Sequence, residues 1–139
     1  MTQSRIFAVE DDVEDRTFLQ EAFKVNGCTK ELLFLELFEE LQMFLNNLSL
    51  DKLPQLIILD NYINSISAVS TIDLLVHNPR LAHVKLAIYT TSLPARTCAD
   101  YIAQGVHLCL QKGSTAEQIN EDVTKFCKLA ASSIEGEAA

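Results

Sequence analysis

Five short, mostly apolar runs recur at fairly even spacing along this chain, and nearly all of them end beside a residue able to do chemistry. The runs are Ile6-Phe7-Ala8-Val9, Leu32-Leu33-Phe34-Leu35, Leu56-Ile57-Ile58-Leu59, Leu86-Ala87-Ile88-Tyr89 and His107-Leu108-Cys109-Leu110. Directly after them come Glu10-Asp11-Asp12, Glu36, Asp60, Thr90-Thr91 and, one residue further on, Lys112. Short apolar runs alternating with helix-length segments predict a parallel sheet buried on both faces. In such a sheet ligands sit outside the carboxyl ends of the strands, where the strand order reverses. The polar endings therefore mark a candidate site.

The segments between the runs read as helices. Val13 to Asn26 forms the first, with Phe18, Ala22, Phe23 and Val25 as its apolar face and Gly27 as its stop. Phe38, Leu41, Leu45 and Leu48 recur at helical spacing in the second, before Pro54 breaks the chain ahead of the third strand. Val69, Ile72, Leu75 and Val76 make a third helix that stops near Asn78-Pro79. Pro94 suits the opening turn of a fourth, running to about Gln104. Ser114-Thr115-Ala116-Glu117 fits a capping box for a fifth, whose stripe is Ile119, Val123, Phe126, Cys127 and Ala130. Right-handed crossovers then give an α/β, doubly wound, five-stranded parallel sheet with strand order 2-1-3-4-5 and five helices, a flavodoxin-like arrangement. Residues 1–131 are expected to form one domain and 132–139 a fraying tail.

Composition narrows the partners. A net charge of −8 argues against nucleic acid, because phosphate contact requires a basic face. No apolar stretch approaches the roughly 18 residues that cross a bilayer, and Met1 to Arg5 lead straight into a strand, so no membrane partner and a cytoplasmic location are expected. The four cysteines, Cys28, Cys98, Cys109 and Cys127, lack metal-ligand spacing and are expected to be reduced, packed thiols.

The expected strand order sets Glu10 and Asp11 beside Asp60. Three clustered carboxylates repel one another unless one is protonated or a cation lies among them. Oxygen-only ligands favour a hard ion, and Mg²⁺ suits a site that keeps waters and leaves positions for phosphate oxygens. Thr90 is placed to hydrogen-bond one phosphoryl oxygen and Lys112 to reach another as a point charge. Singly, each of these residues has a plain structural reading: a helix cap, a complement to a helix dipole, a turn residue, a solvated lysine. Their co-occurrence at the ends of separate strands is what points to phosphoryl transfer onto an aspartate.

With these residues in view, the chain resembles the receiver domain of two-component response regulators over roughly Arg5 to Leu129. The acidic pair of that family falls on Glu10 and Asp11 within Ile6-Phe7-Ala8-Val9-Glu10-Asp11-Asp12, and the strand Leu56-Ile57-Ile58-Leu59-Asp60 makes Asp60 the phosphoacceptor. The resemblance implies that Thr90 is the switch hydroxyl, Lys112 the active-site lysine, and the Tyr62 carbonyl a ligand to Mg²⁺ beside Glu10, Asp11 and Asp60. It also implies a phosphoacceptor that assists its own phosphorylation and dephosphorylation, not an enzyme acting on other substrates. Its implied partners are a sensor histidine kinase or histidine phosphotransfer protein and a downstream target protein. The side chains of Tyr62 and Ser92 would flank the path of the attacking water.

This sequence departs from the family in three places. Ile63-Asn64 replaces the usual Met-Pro, so the loop after Asp60 is expected to be more mobile or differently shaped. Gly113 replaces the proline after the lysine, and a trans peptide is expected there, since a cis bond without proline costs about 2.5–4 kcal/mol. Cys109 stands where the family has its switch aromatic. A degenerate receiver acting as a phosphorylation-independent interaction module is the rival reading. A Mg²⁺-dependent phosphatase is disfavoured because Asp60-Asn61-Tyr62 lacks the second aspartate of that class. Flavin binding is disfavoured because Glu10-Asp11-Asp12 repels phosphate.

Overall fold

The computed structural model of this chain describes residues 3–132. Its strands are β1 (Ser4–Val9), β2 (Thr29–Leu35), β3 (Leu56–Leu59), the short β4 (Tyr62–Ile63) and β5 (Ile66–Ser67), β6 (Lys85–Thr90) and β7 (Leu108–Gln111). The helices are α1 (Val13–Asn26), α2 (Phe38–Asn46), α3 (Val69–Val76), α4 (Ala95–Gln104) and α5 (Ala116–Ala131). All neighbours in the main sheet are parallel, in the order β2-β1-β3-β6-β7. With the two hairpin strands left out of the count, this is the expected 2-1-3-4-5. Apart from Ser132, the expected C-terminal tail lies outside the described residues. No helix among the described residues is long and apolar enough to cross a membrane.

Alternation along the strands explains why both faces of the sheet are apolar. Ile6, Ala8, Leu56, Ile58, Ala87 and Tyr89 enter one core with Leu19 and Phe23 of α1 and Val123 and Phe126 of α5. Phe7, Val9, Ile57, Leu59, Leu86 and Ile88 enter the other, with Leu41 of α2, Ile72 of α3 and Tyr101 of α4. Each of the Val, Leu, Ile and Phe side chains among them, once fully buried, contributes about 1.5–3 kcal/mol of hydrophobic stabilisation.

The helix ends are chemically explicit. Asp12 caps α1 by accepting the Asp15 N–H at 2.9 Å, and Gly27, at φ 78°, ends it in the left-handed conformation that glycine adopts without strain. Two expectations shift. Phe18 and Val25 are 48% and 78% exposed, because the buried stripe of α1 runs through Leu19, Ala22 and Phe23, one position further round. The capping box of α5 moves by one residue. The Thr115 hydroxyl accepts the Gln118 N–H at 3.1 Å, while Gln118 Oε1 takes the Ser114 N–H at 2.8 Å.

Two features were not expected. First, β4 and β5 form an antiparallel hairpin whose turn residues, Asn64 and Ser65, have φ of 54° and 65°. Positive φ at both central positions is the signature of the tight hairpin turn whose twist matches its strands. A proline at 64, locked near −65°, does not fit that turn. Second, Cys28 and Cys127 form a disulfide, their Cα atoms 6.0 Å apart across 99 positions of sequence. The expectation of four reduced thiols is therefore corrected for this pair; Cys98 and Cys109 are free. The cause is packing. Cys28 follows the end of α1 and Cys127 lies on the buried face of α5, and the two helices cover the same face of the sheet.

Candidate functional site

Strand register brings the polar endings together. Val9 pairs with Leu59 across β1 and β3, so the next residues, Glu10 and Asp60, come side by side at the carboxyl edge. Thr90 pairs with Gln111 across β6 and β7, and the Lys112 N–H donates to the Thr90 carbonyl at 2.7 Å.

Lys112 is the centre of the arrangement. Its Nζ donates to Glu10 Oε1 at 2.6 Å, Asp15 Oδ2 at 2.7 Å and Asp60 Oδ2 at 2.8 Å. The Asp12 N–H adds a bond to Glu10 Oε2 at 3.1 Å. Burial pushes the Glu10 carboxyl up to about 7 against the pull of Lys112. Burial also pulls the Lys112 ammonium down, but its hydrogen bonds to Asp15, Asp60 and Glu10 more than reverse that, and its pKa is raised. These directions describe one knot. Three carboxylates share a single ammonium, so the lysine keeps its proton and the most deeply buried acid, Glu10, is the one that takes up another.

Most of the sequence-derived residues meet here. Glu10, Asp60 and Lys112 are in contact, and Thr90 is buried at the end of β6 with its carbonyl on the lysine's backbone. Asp11 is exposed and is not among the carboxylates that bond Lys112; Asp15, from the first turn of α1, takes that place. Tyr62 is 59% exposed in β4. Among the described residues no three Asp, Glu, His or Cys side chains form a metal-ligating cluster. The donor chemistry nonetheless fits a hard ion of the Mg²⁺ kind. Glu10 and Asp60 offer carboxylate oxygen at one edge, and such an ion is bound through one or two carboxylates with waters and phosphate oxygens completing its shell.

No family model matches the sequence, and no curated protein matches it either. Solved structures do match in three dimensions. The phosphorylated cyanobacterial phytochrome response regulator RcpA is similar with a TM-score of 0.81 at 20% identity, over 94% of this chain and 96% of that one. The response regulator RPA3017 in red light signalling of R. palustris gives 0.81 at 18% identity, over 94% and 97% of the two chains. The Mn²⁺-bound form of response regulator Rcp1 gives 0.73 at 22% identity, over 88% and 91%. This chain has the response regulator receiver fold.

Three partners in and around this site were not foreseen. Asp15 carries the weak signal of an acid one helical turn after Asp11, which reads equally well as a complement to the helix dipole. Asn61, next to Asp60 and buried, accepts a hydrogen bond from the Tyr101 hydroxyl of α4. Asp122 of α5 accepts the Tyr89 hydroxyl at 2.7 Å in the interior, a pairing that no local pattern announces. Gly113 follows a trans peptide, as expected, since no cis bond occurs among the described residues. Cys109 donates its thiol to the Cys98 carbonyl at 3.8 Å, and burial pushes its pKa up to about 12, so it stays a protonated thiol.

Proposed function

We propose that this receiver is a phosphoacceptor whose Asp60 takes a phosphoryl group from a phosphohistidine of a sensor histidine kinase or phosphotransfer protein. The observation that carries this reading is the contact of one ammonium, Lys112, with both Asp60 and the buried Glu10 at the carboxyl edge of the sheet. Lys112 engages Oδ2 of Asp60, which leaves Oδ1 as the oxygen that attacks phosphorus while the P–N bond breaks and the imidazole departs with its electron pair. The lysine then offsets charge on the transferred group as a fixed cation in a largely dry site. The Thr90 hydroxyl is the group that turns toward the new phosphoryl oxygens and carries the change to the β6–α4 side. Glu10 and Asp60, with Asp11 and the Tyr62 carbonyl, would hold Mg²⁺, which supplies charge neutralisation to the phosphoryl oxygens when bound. Tyr62 stands over the path of the hydrolysing water and lengthens the phosphoryl lifetime. The readout is docking to a downstream protein. The location is cytoplasmic, where the buried Cys28–Cys127 bridge is sheltered from thiol exchange.

The test is intact mass before and after incubation with a small phosphodonor, with and without Mg²⁺, and with Asp60→Asn as control. One added phosphoryl group that needs Mg²⁺ and Asp60 supports the reading. A folded protein that neither gains mass nor responds to beryllofluoride refutes it. That outcome favours the rival, a phosphorylation-independent interaction module, for which the specific observation is that Lys112 ties together Glu10, Asp15 and Asp60.

A further inference from the structure

The lysine at the centre of the site stands on a loop whose backbone is held at three successive amides. The Lys112 N–H donates to the Thr90 carbonyl at 2.7 Å, and the Ser114 N–H to Gln118 Oε1 at 2.8 Å. Between them, the Gly113 N–H donates to Asp122 Oδ2 at 3.2 Å, with the Tyr89 hydroxyl oxygen at 3.4 Å as a weaker second acceptor. Asp122 is 9% exposed and Tyr89 4%, so this acid and this hydroxyl are interior groups that phosphoryl transfer itself does not use. A buried carboxylate is tolerated only where donors meet it. Here the donors are the Tyr89 hydroxyl and the amide directly after the lysine.

Gly113 explains why such a clamp is needed. A Cβ at this position would fall 2.7 Å from Gln118 Cβ and 3.0 Å from the backbone of Gln118 and Ile119, so only glycine lets the loop lie this close to α5. Glycine also leaves the backbone free to turn, whereas a proline after the lysine would fix φ covalently. The constraint on the lysine must come from somewhere else.

We propose that Asp122, backed by Tyr89, is a positioning residue for Lys112, fixing the Lys112–Gly113 peptide so that the ammonium stays on Asp60 and Glu10. The functional side of this inference rests on the phosphoacceptor reading of Asp60. It is tested in the full chain with Asp122→Ala, Asp122→Asn and Tyr89→Phe. Asp122→Ala is expected to slow phosphorylation by acetyl phosphate about 10- to 100-fold, the scale of a misplaced catalytic group. Asp122→Asn, which keeps an acceptor oxygen for the Gly113 amide, is expected to restore most of the rate. In a Lys112→Ala background, Asp122→Ala is expected to change the rate no further, although it still lowers stability. Equal slowing with and without the lysine would overturn the proposal, because Asp122 would then act through the fold alone.

A second readout does not depend on phosphorylation. Competitive acetylation of the amines, read by peptide mass, should label Lys112 slowly in the wild type and faster in Asp122→Ala. Tyr89→Phe should label at an intermediate rate, and it serves alone if the alanine variant fails to fold. Unchanged Lys112 labelling in these variants overturns the proposal. No phosphoryl uptake by the wild type would refute the reading of Asp60 instead, and the labelling comparison would still decide what holds Lys112.

Discussion

Reducing the Cys28–Cys127 bridge should remove a large part of the stability of this fold. The bridge closes a loop spanning 99 positions. A cross-link over a loop of that length restricts the unfolded chain by about 4.7 kcal/mol at 25 °C. Both cysteines are buried, so reduction removes the tether and leaves the two sulfurs in place as packing. Domains of this size are stable by about 5–15 kcal/mol, so the tether accounts for roughly a third or more of the total. The corresponding fall in Tm is on the order of 10–20 °C. The assay is thermal and urea denaturation with and without reductant, on the wild type and on a Cys98→Ala, Cys109→Ala variant in which only the bridge can respond. Alkylation of the unfolded, unreduced protein should modify Cys98 and Cys109 and spare the other pair. A denaturation midpoint that the reductant leaves unmoved, or alkylation at all four cysteines, would refute the reasoning.

Three further outcomes follow from named contacts. Gly113→Ala drives a Cβ to 2.7 Å from Gln118, and a loss of about 1–3 kcal/mol in urea unfolding is expected, with near-neutral behaviour counting against the close approach. His107 accepts the Leu86 N–H on Nδ1 at 3.1 Å, and burial, then the Lys85 charge, hold its pKa below the ordinary 6.5. The unfolded chain therefore takes up the proton first. This contribution to stability is complete above 6.5 and is lost as pH falls through the folded value, so a pH series of unfolding curves should show His107→Gln losing less at acid pH than the wild type. Asp60→Asn removes one of three carboxylates around a single ammonium, and the variant should be more stable than wild type by about 1 kcal/mol in metal-free buffer. A clear loss of stability would instead mean that Lys112 needs Asp60 as a partner.

The main sheet was legible because parallel strands buried on both faces leave unbroken apolar runs, and Ile57 and Ile88 are 0% exposed at the centre of theirs. Glu10, Asp60 and Lys112 were legible for the same reason, since each follows a run and register alone brings them together. Asp15 was not, because it reaches the lysine from a helix and its position in the sequence has an ordinary structural meaning. The hairpin escaped because strands of two residues carry no period, although Asn64-Ser65 between two isoleucines was its trace. The disulfide and the Tyr89–Asp122 pair escaped because their partners lie 99 and 33 positions apart, and adjacency at that range is a property of the packed layers.

The bridge also divides the chain topologically. It closes a covalent ring that contains β2, β3, β6 and β7, while β1 and α1 belong to an arm outside it. Yet β1 lies between β2 and β3, and within the sheet β2 pairs with nothing but β1. The ring therefore cannot complete its own sheet: it holds the outer strand at one end and the remaining three at the other, with a slot between them. The arm that fills this slot also delivers Glu10 and Asp15 to Lys112. The same arm thus both joins the two parts of the sheet and supplies two of the three carboxylates around the lysine, the third, Asp60, coming from the ring itself.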